Sequence, residues 1–135
     1  MPQPSRTWLP RRALVIGLAR SGQAAALALA RRGVATVASD RSTSVDAGRL
    51  GDAGVEIHLG REEESLLDGV DVVVKSPGVP GESPLAAAAR RRGIPLWSEV
   101  ELGYRLLPPG ARIIGVTGTN GKTTTTELLG AILRA

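Results

Sequence analysis

The chain has 135 residues and a net charge of +4, a length that suits one domain of ordinary size with a real core. It has no cysteine, which excludes disulfides and thiolate metal sites and suits a reducing cytoplasm, and no Phe and few other aromatics, which leaves little stacking surface for single-stranded nucleic acid. No stretch approaches the roughly 20 continuous apolar residues of a membrane span, and Pro10, Arg11 and Arg12 interrupt the start before a signal peptide's apolar core can form.

In chain order, residues 13–16 read as a short apolar strand, followed by Gly17-Leu18-Ala19-Arg20-Ser21-Gly22 and an Ala/Leu-rich helix over 21–32. Residues 34–39 read as a second strand that runs into Asp40. This is the outline of a dinucleotide-binding βαβ unit: a tight turn at Gly17, close helix packing at Gly22, and an acid at the second strand's end for a ribose hydroxyl. Ala19 stands where a glycine would let the backbone approach a pyrophosphate most closely. On the motif alone, nucleotide binding and a plain βαβ turn both fit.

Further strands are expected over 55–59, 70–75, 94–97 and 112–116, and further helices over 45–53, 62–67, 84–92, 99–106 and 122–133. Most of the strand runs are apolar without polar alternation, as in parallel strands covered on both faces. Pro84 opens its helix, and Gly33 and Gly93 follow theirs as stops. Alternating β and α with right-handed crossovers predicts an α/β fold, a Rossmann-like doubly wound parallel sheet. Several conspicuous residues read as structural. His58 has no partners at metal spacing; Trp97 and Tyr104 are expected to pack between sheet and helix. Glu62-Glu63-Glu64 suits a helix start and Arg90-Arg91-Arg92 a helix end, by their fit to the dipole. Lys75, at a strand end, is a weaker candidate for approaching a phosphate.

Leu107-Pro108-Pro109-Gly110-Ala111 reads as a linker. It divides a domain over 1–107 from a final unit over 112–135, with 108–111 as the connection. That unit contains V-T-G-T-N-G-K-T-T-T from Val116 to Thr125, between an apolar strand candidate and a helix. A glycine-rich turn between strand and helix brings backbone N–H groups and the helix N-terminus onto a nucleotide's phosphates. The candidate ATP-binding residues are Gly118, Thr119, Asn120, Gly121, Lys122, Thr123 and Thr124. Lys122 supplies a mobile cation and Thr123 a hydroxyl for Mg²⁺. Val116 stands where the general phosphate-loop pattern has its first glycine, which points to a particular branch of ATP-binding proteins.

Taken together, T-G-T-N-G-K-T-T-T, the glycine turn at 17–22 and Lys75-Ser76-Pro77-Gly78-Val79-Pro80 resemble the Mur ligases, the ATP-dependent amino-acid ligases of peptidoglycan synthesis. The resemblance covers essentially the whole chain. It is greatest to the D-glutamate-adding branch, since L-alanine-adding relatives usually carry His at the position of Asn120. The segment Trp97-Ser98-Glu99-Val100-Glu101-Leu102 also fits that branch.

For the whole enzyme the resemblance implies ATP and Mg²⁺ as cofactors and UDP-N-acetylmuramoyl-L-alanine and D-glutamate as substrates, joined through an acyl phosphate. It implies Lys122 and Thr123 as the catalytic parts visible here. It maps UDP contacts onto Arg20 and Ser21, onto Asp40, Arg41 and Ser42, and onto Gly78. Arg20 and Arg41 either pair with pyrophosphate or stay on the surface. One strand and one helix do not make an ATPase domain, so the chain is expected to be the N-terminal portion of a longer, monomeric, cytoplasmic ligase and inactive alone. An L-alanine-adding ligase, a non-catalytic UDP-sugar-binding module and an NAD-binding domain remain the alternatives.

Overall fold

The structure, a computed structural model, describes residues 8–135. Five strands, β1 (Arg12–Ile16), β2 (Ala35–Asp40), β3 (Glu56–Leu59), β4 (Val72–Lys75) and β5 (Leu96–Ser98), form one parallel sheet in the order β3-β2-β1-β4-β5. Helices α1 (Arg20–Ala30), α2 (Gly48–Asp52), α3 (Pro84–Arg91) and α4 (Glu99–Leu106) and a 3₁₀ turn at Glu64–Leu67 connect or follow them. The last helix, α5, spans Lys122–Arg134.

The strand period of two divides the core between the faces of the sheet. Ala13 and Val15 of β1 join Val72 and Val74 of β4 against Ala25, Ala26 and Leu29 of α1, Leu50 of α2 and Leu102 of α4. Leu14, Ile16 and Val73 point the other way, against Leu66 and Leu67 of the 3₁₀ turn and Leu85, Ala88 and Ala89 of α3. The alanines of α1 and α3 bring both helices close to the sheet, and β1 is buried from both sides from Ala13 onward. Residues from β1 and β4, paired in register as Ala13 with Val72 and Val15 with Val74, therefore share one layer.

Several expectations change. Residues 112–116 form no strand ladder, and Ile113 and Ile114 are 54% and 58% exposed. An apolar run becomes a strand only where a neighbour takes its N–H and C=O groups, and the five-stranded sheet already ends on β3 and β5. The helix expected over 45–53 shortens to α2, since the Asp46 side chain accepts the Gly48 N–H at 3.2 Å and turns the chain just before it. The segment over 62–67 tightens to the 3₁₀ turn. Trp97 is buried, whereas Tyr104 lies on the exposed side of α4. Arg105 instead covers the Trp97 ring, 4.3 Å from its centroid, with Trp8 edge-on to the same ring. Arg90, Arg91 and Arg92 pair with Glu82, Glu64 and Asp68, fastening the end of α3 to its surroundings. His58 pairs with Glu56 at 2.8 Å, in keeping with a structural role.

Asp71 closes the start of the central strand by accepting the N–H groups of Arg11 and Arg12 at 2.7 and 3.0 Å. The Arg12 N–H chiefly holds its carboxyl below the usual carboxylate range; burial opposes this, and the N–H and charge of Arg11 add to it. A depressed folded-state value stabilises the fold above the unfolded value of about 3.9 and ceases to do so as pH falls through the folded value. Asp71→Asn is therefore expected to lose less stability between pH 7 and pH 3 than the unsubstituted chain in urea titrations. Equal losses in the two chains would remove Asp71 from the acid response.

Candidate functional site

The loops after β1, β2 and β4 meet at the strands' carboxyl ends and enclose a cleft of about 440 Å³. Gly17 ends β1 with φ +88°, and its N–H donates to the Ser39 carbonyl at 2.8 Å, tying the first turn to β2. α1 then passes so close that a Cβ at Gly22 would lie 1.9 Å from the Gly17 oxygen. Ala19, with extended backbone angles, is the N-cap of α1.

Ser21, Asp40, Arg41 and Gly78 all line this cleft, with Glu62 and the Ser76-Pro77-Gly78-Val79-Pro80 turn. The structure thus brings together four of the six residues expected to meet UDP. Arg20 and Ser42 are exposed beside the cleft and do not line it. Ser42 serves its loop: its N–H donates to Asp40 Oδ1 at 2.8 Å, and its hydroxyl pairs with that of Ser44 at 2.8 Å. Asp40 Oδ2 accepts the Leu18 N–H at 2.6 Å, so one carboxylate joins the loops after β1 and β2.

The third loop is fastened by side chains on either side. Lys75 Nζ donates to the Ser76 and Val79 carbonyls at 3.1 and 2.6 Å, which makes it the clip of the turn. The buried Ser76 hydroxyl lies 3.0 Å from the Gly17 oxygen and 2.6 Å from Glu99 Oε1. It links the β1 turn, the β4 turn and the start of α4. Sequence reasoning missed Glu62 and Glu99 as site residues. No local pattern distinguishes them, because each acts on a side chain 21 or more positions away.

A second, shallower cleft of about 310 Å³ is lined by Thr119, Asn120, Gly121, Lys122, Thr123 and Thr124. Gly118 and Gly121 take φ +148° and +76°, and Gly121 caps α5 in the left-handed region where a side chain is strained. The first N–H groups of a helix lack acceptors within it, and the residues that open α5 line this cleft, so their amides are available to an anion. Lys122 Nζ rests on the Gly118 carbonyl at 2.7 Å. This cradle fits phosphate oxygens. Among these residues the Thr123 hydroxyl is the group that could hold a divalent cation. Among the described residues no group of three or more His, Cys, Asp or Glu side chains is placed to hold a metal ion, and no helix is long and apolar enough to cross a membrane.

A parallel α/β sheet in this strand order, with its cleft at the strands' carboxyl ends, defines a doubly wound domain, a class whose open sheets bind ligands at that edge. The Mur ligase MurD-like N-terminal domain family matches residues 11–98, and the chain belongs to this family. It is similar to the UDP-N-acetylmuramoylalanine--D-glutamate ligase of Rubrobacter xylanophilus, at 51% identity over 92% of this chain and 28% of that protein. The ligase of the same name from Anaeromyxobacter dehalogenans is 50% identical over 90% of this chain and 27% of its own length. The chain thus spans little more than a quarter of these relatives. A pseudomurein peptide ligase type C from Methanothermus fervidus shares the fold, with a TM-score of 0.63 at 24% identity over 92% of this chain and 26% of that one.

Proposed function

We propose that residues 1–107 form the UDP-substrate-binding domain of an ATP-dependent ligase, that 108–111 link it onward, and that 112–135 begin its ATP-binding domain. The parent enzyme then joins D-glutamate to UDP-N-acetylmuramoyl-L-alanine in cytoplasmic peptidoglycan synthesis. The observation that carries this reading is the cleft at the sheet's carboxyl edge, where Ser21, Asp40, Arg41 and Gly78 converge in a chain of this family.

Each set of residues has its own task. Arg20, Ser21, Asp40, Arg41, Ser42 and Gly78 hold the UDP end, with Arg20 and Ser42 engaging from the rim. In the second cleft Lys122 and the amides of residues 119–124 neutralise the phosphates of ATP. Thr123 would hold Mg²⁺ through its hydroxyl, and the bound cation would supply positive charge against the phosphates. Phosphoryl transfer to the terminal carboxylate of the UDP substrate gives an acyl phosphate and ADP. The amine of D-glutamate attacks its carbonyl carbon, and phosphate leaves as the amide forms. Little covalent chemistry falls to the protein, so positioning and fixed charge dominate.

The chain is expected to bind UDP more tightly than NAD in calorimetric titrations. Ala19 puts a methyl group where a dinucleotide site has its closest backbone approach, and Asp40 and the Ser76-Pro77-Gly78 turn line the same cleft. A heat of binding with NAD and none with UDP would overturn the assignment.

A further inference from the structure

Glu62 lines the cleft, yet nothing in the proposed chemistry uses it. Two hydrogen bonds from β2 place it there. The Gly60 N–H donates to the Asp40 carbonyl at 2.8 Å, and the buried Ser39 hydroxyl donates to the Arg61 carbonyl at 2.9 Å. The next residue, Glu62, is thereby fixed beside the end of the strand with its side chain only 14% exposed. Arg41, one residue past the same strand, is the opposite case, with a side chain 61% exposed. Its Nε donates to Glu62 Oε2 at 2.8 Å.

A guanidinium carries five N–H donors in a planar fork, and the Glu62 contact occupies only the Nε edge. Among the described residues the two Nη groups of Arg41 have no partner. We infer that Glu62 is a positioning residue of the cleft, a fixed carboxylate that turns the otherwise mobile Arg41 so that its Nη groups meet the diphosphate of a nucleotide. The inference rests on the nucleotide reading of the cleft and adds to it the residue that aims the cation.

The arrangement has a distinctive electrostatic consequence. With Arg41 present, Glu62 favours an anionic ligand by holding the cation in place. Without Arg41, Glu62 is a bare carboxylate lining the same cleft and repels that ligand. Removing Glu62 therefore has opposite effects in the two backgrounds, which a merely structural role cannot produce.

The test titrates UDP and uridine by NMR into the unsubstituted chain, Glu62→Ala, Glu62→Gln, Arg41→Ala and the Glu62→Ala/Arg41→Ala double variant. Glu62→Ala is expected to weaken UDP binding by about two- to fivefold, the range of an exposed charged pair, and to leave uridine unchanged. Glu62→Gln, which keeps shape and an acceptor but not the charge, is expected to fall between. In the Arg41→Ala background, Glu62→Ala is expected to strengthen UDP binding. Equal weakening with and without Arg41, or equal effects on UDP and uridine, would overturn the positioning role alone, and UDP binding indifferent to every substitution would remove Arg41 from the UDP site along with it. Failure of the unsubstituted chain to bind either ligand would overturn the nucleotide reading and this role together.

Discussion

Gly22→Ala is expected to destabilise the fold by about 2–4 kcal/mol, the cost of forcing an extra methyl into a packed site together with a disturbed buried hydrogen bond. The Cβ would lie 1.9 Å from the Gly17 oxygen, 2.9 Å from the Gly17 carbonyl carbon and 2.7 Å from Ser76 Oγ. Two of these atoms are backbone, and neither can retreat easily. Gly17 is tied to Ser39 through its N–H, and its oxygen faces the buried Ser76 hydroxyl. The remaining route is for α1 to lift, which would open the contacts of Ala25, Ala26 and Leu29 with the sheet. Gly103 provides the contrast: it lies within α4, and a Cβ there meets nothing within 4 Å. Gly103→Ala is expected to be neutral or stabilising by up to about 1 kcal/mol through helix propensity. Urea unfolding of both variants measures the difference. A loss below about 1 kcal/mol at Gly22 would mean that α1 accommodates the methyl group at little cost.

In the full-length ligase, Lys122→Ala is expected to lower turnover by about 10²–10³-fold, the usual effect of removing one preorganised electrostatic contact. The ammonium rests 2.7 Å from the Gly118 carbonyl, beside a cleft lined by Thr119 to Thr124. From there the flexible side chain is expected to turn onto a γ-phosphate, where it would oppose the charge that shifts during transfer. Affinity for the UDP substrate is expected to stay within about twofold, since the cleft proposed for UDP is built from the loops after β1, β2 and β4 and contains no residue of the 118–124 loop. Lys122→Arg is expected to restore only part of the rate, because a planar fork replaces a compact ammonium in a close-fitting loop. Steady-state kinetics beside UDP-substrate titrations separate the two effects. Near-normal turnover in the alanine variant would remove Lys122 from phosphate binding.

What could be read directly from the residues is what local chemistry controls. Apolar runs bounded by glycine marked β1 to β5, and the segment expected over 99–106 is α4, capped by the Ser98 hydroxyl accepting the Glu101 N–H. Pro84 opens α3 and Lys122 opens α5 as expected. The glycine-rich turn at 17–22 and the acid at 40 were also visible, because they follow strand ends at fixed offsets. The apolar pattern over 112–116 looked the same as that of β1, yet a strand is a relation between two segments and its own residues cannot supply the partner. The roles in the cleft were hidden for a related reason. Asp40 spends both oxygens on neighbouring loops, Lys75 clips its own turn, and Glu62 reaches Arg41 only because β2 and β3 pair in register. Residue type and spacing determined which elements form and where ligand-facing loops fall. Which side chain is free to meet a ligand was decided by tertiary packing, since a hydrogen-bonding group already satisfied by a neighbour has less to gain from a guest.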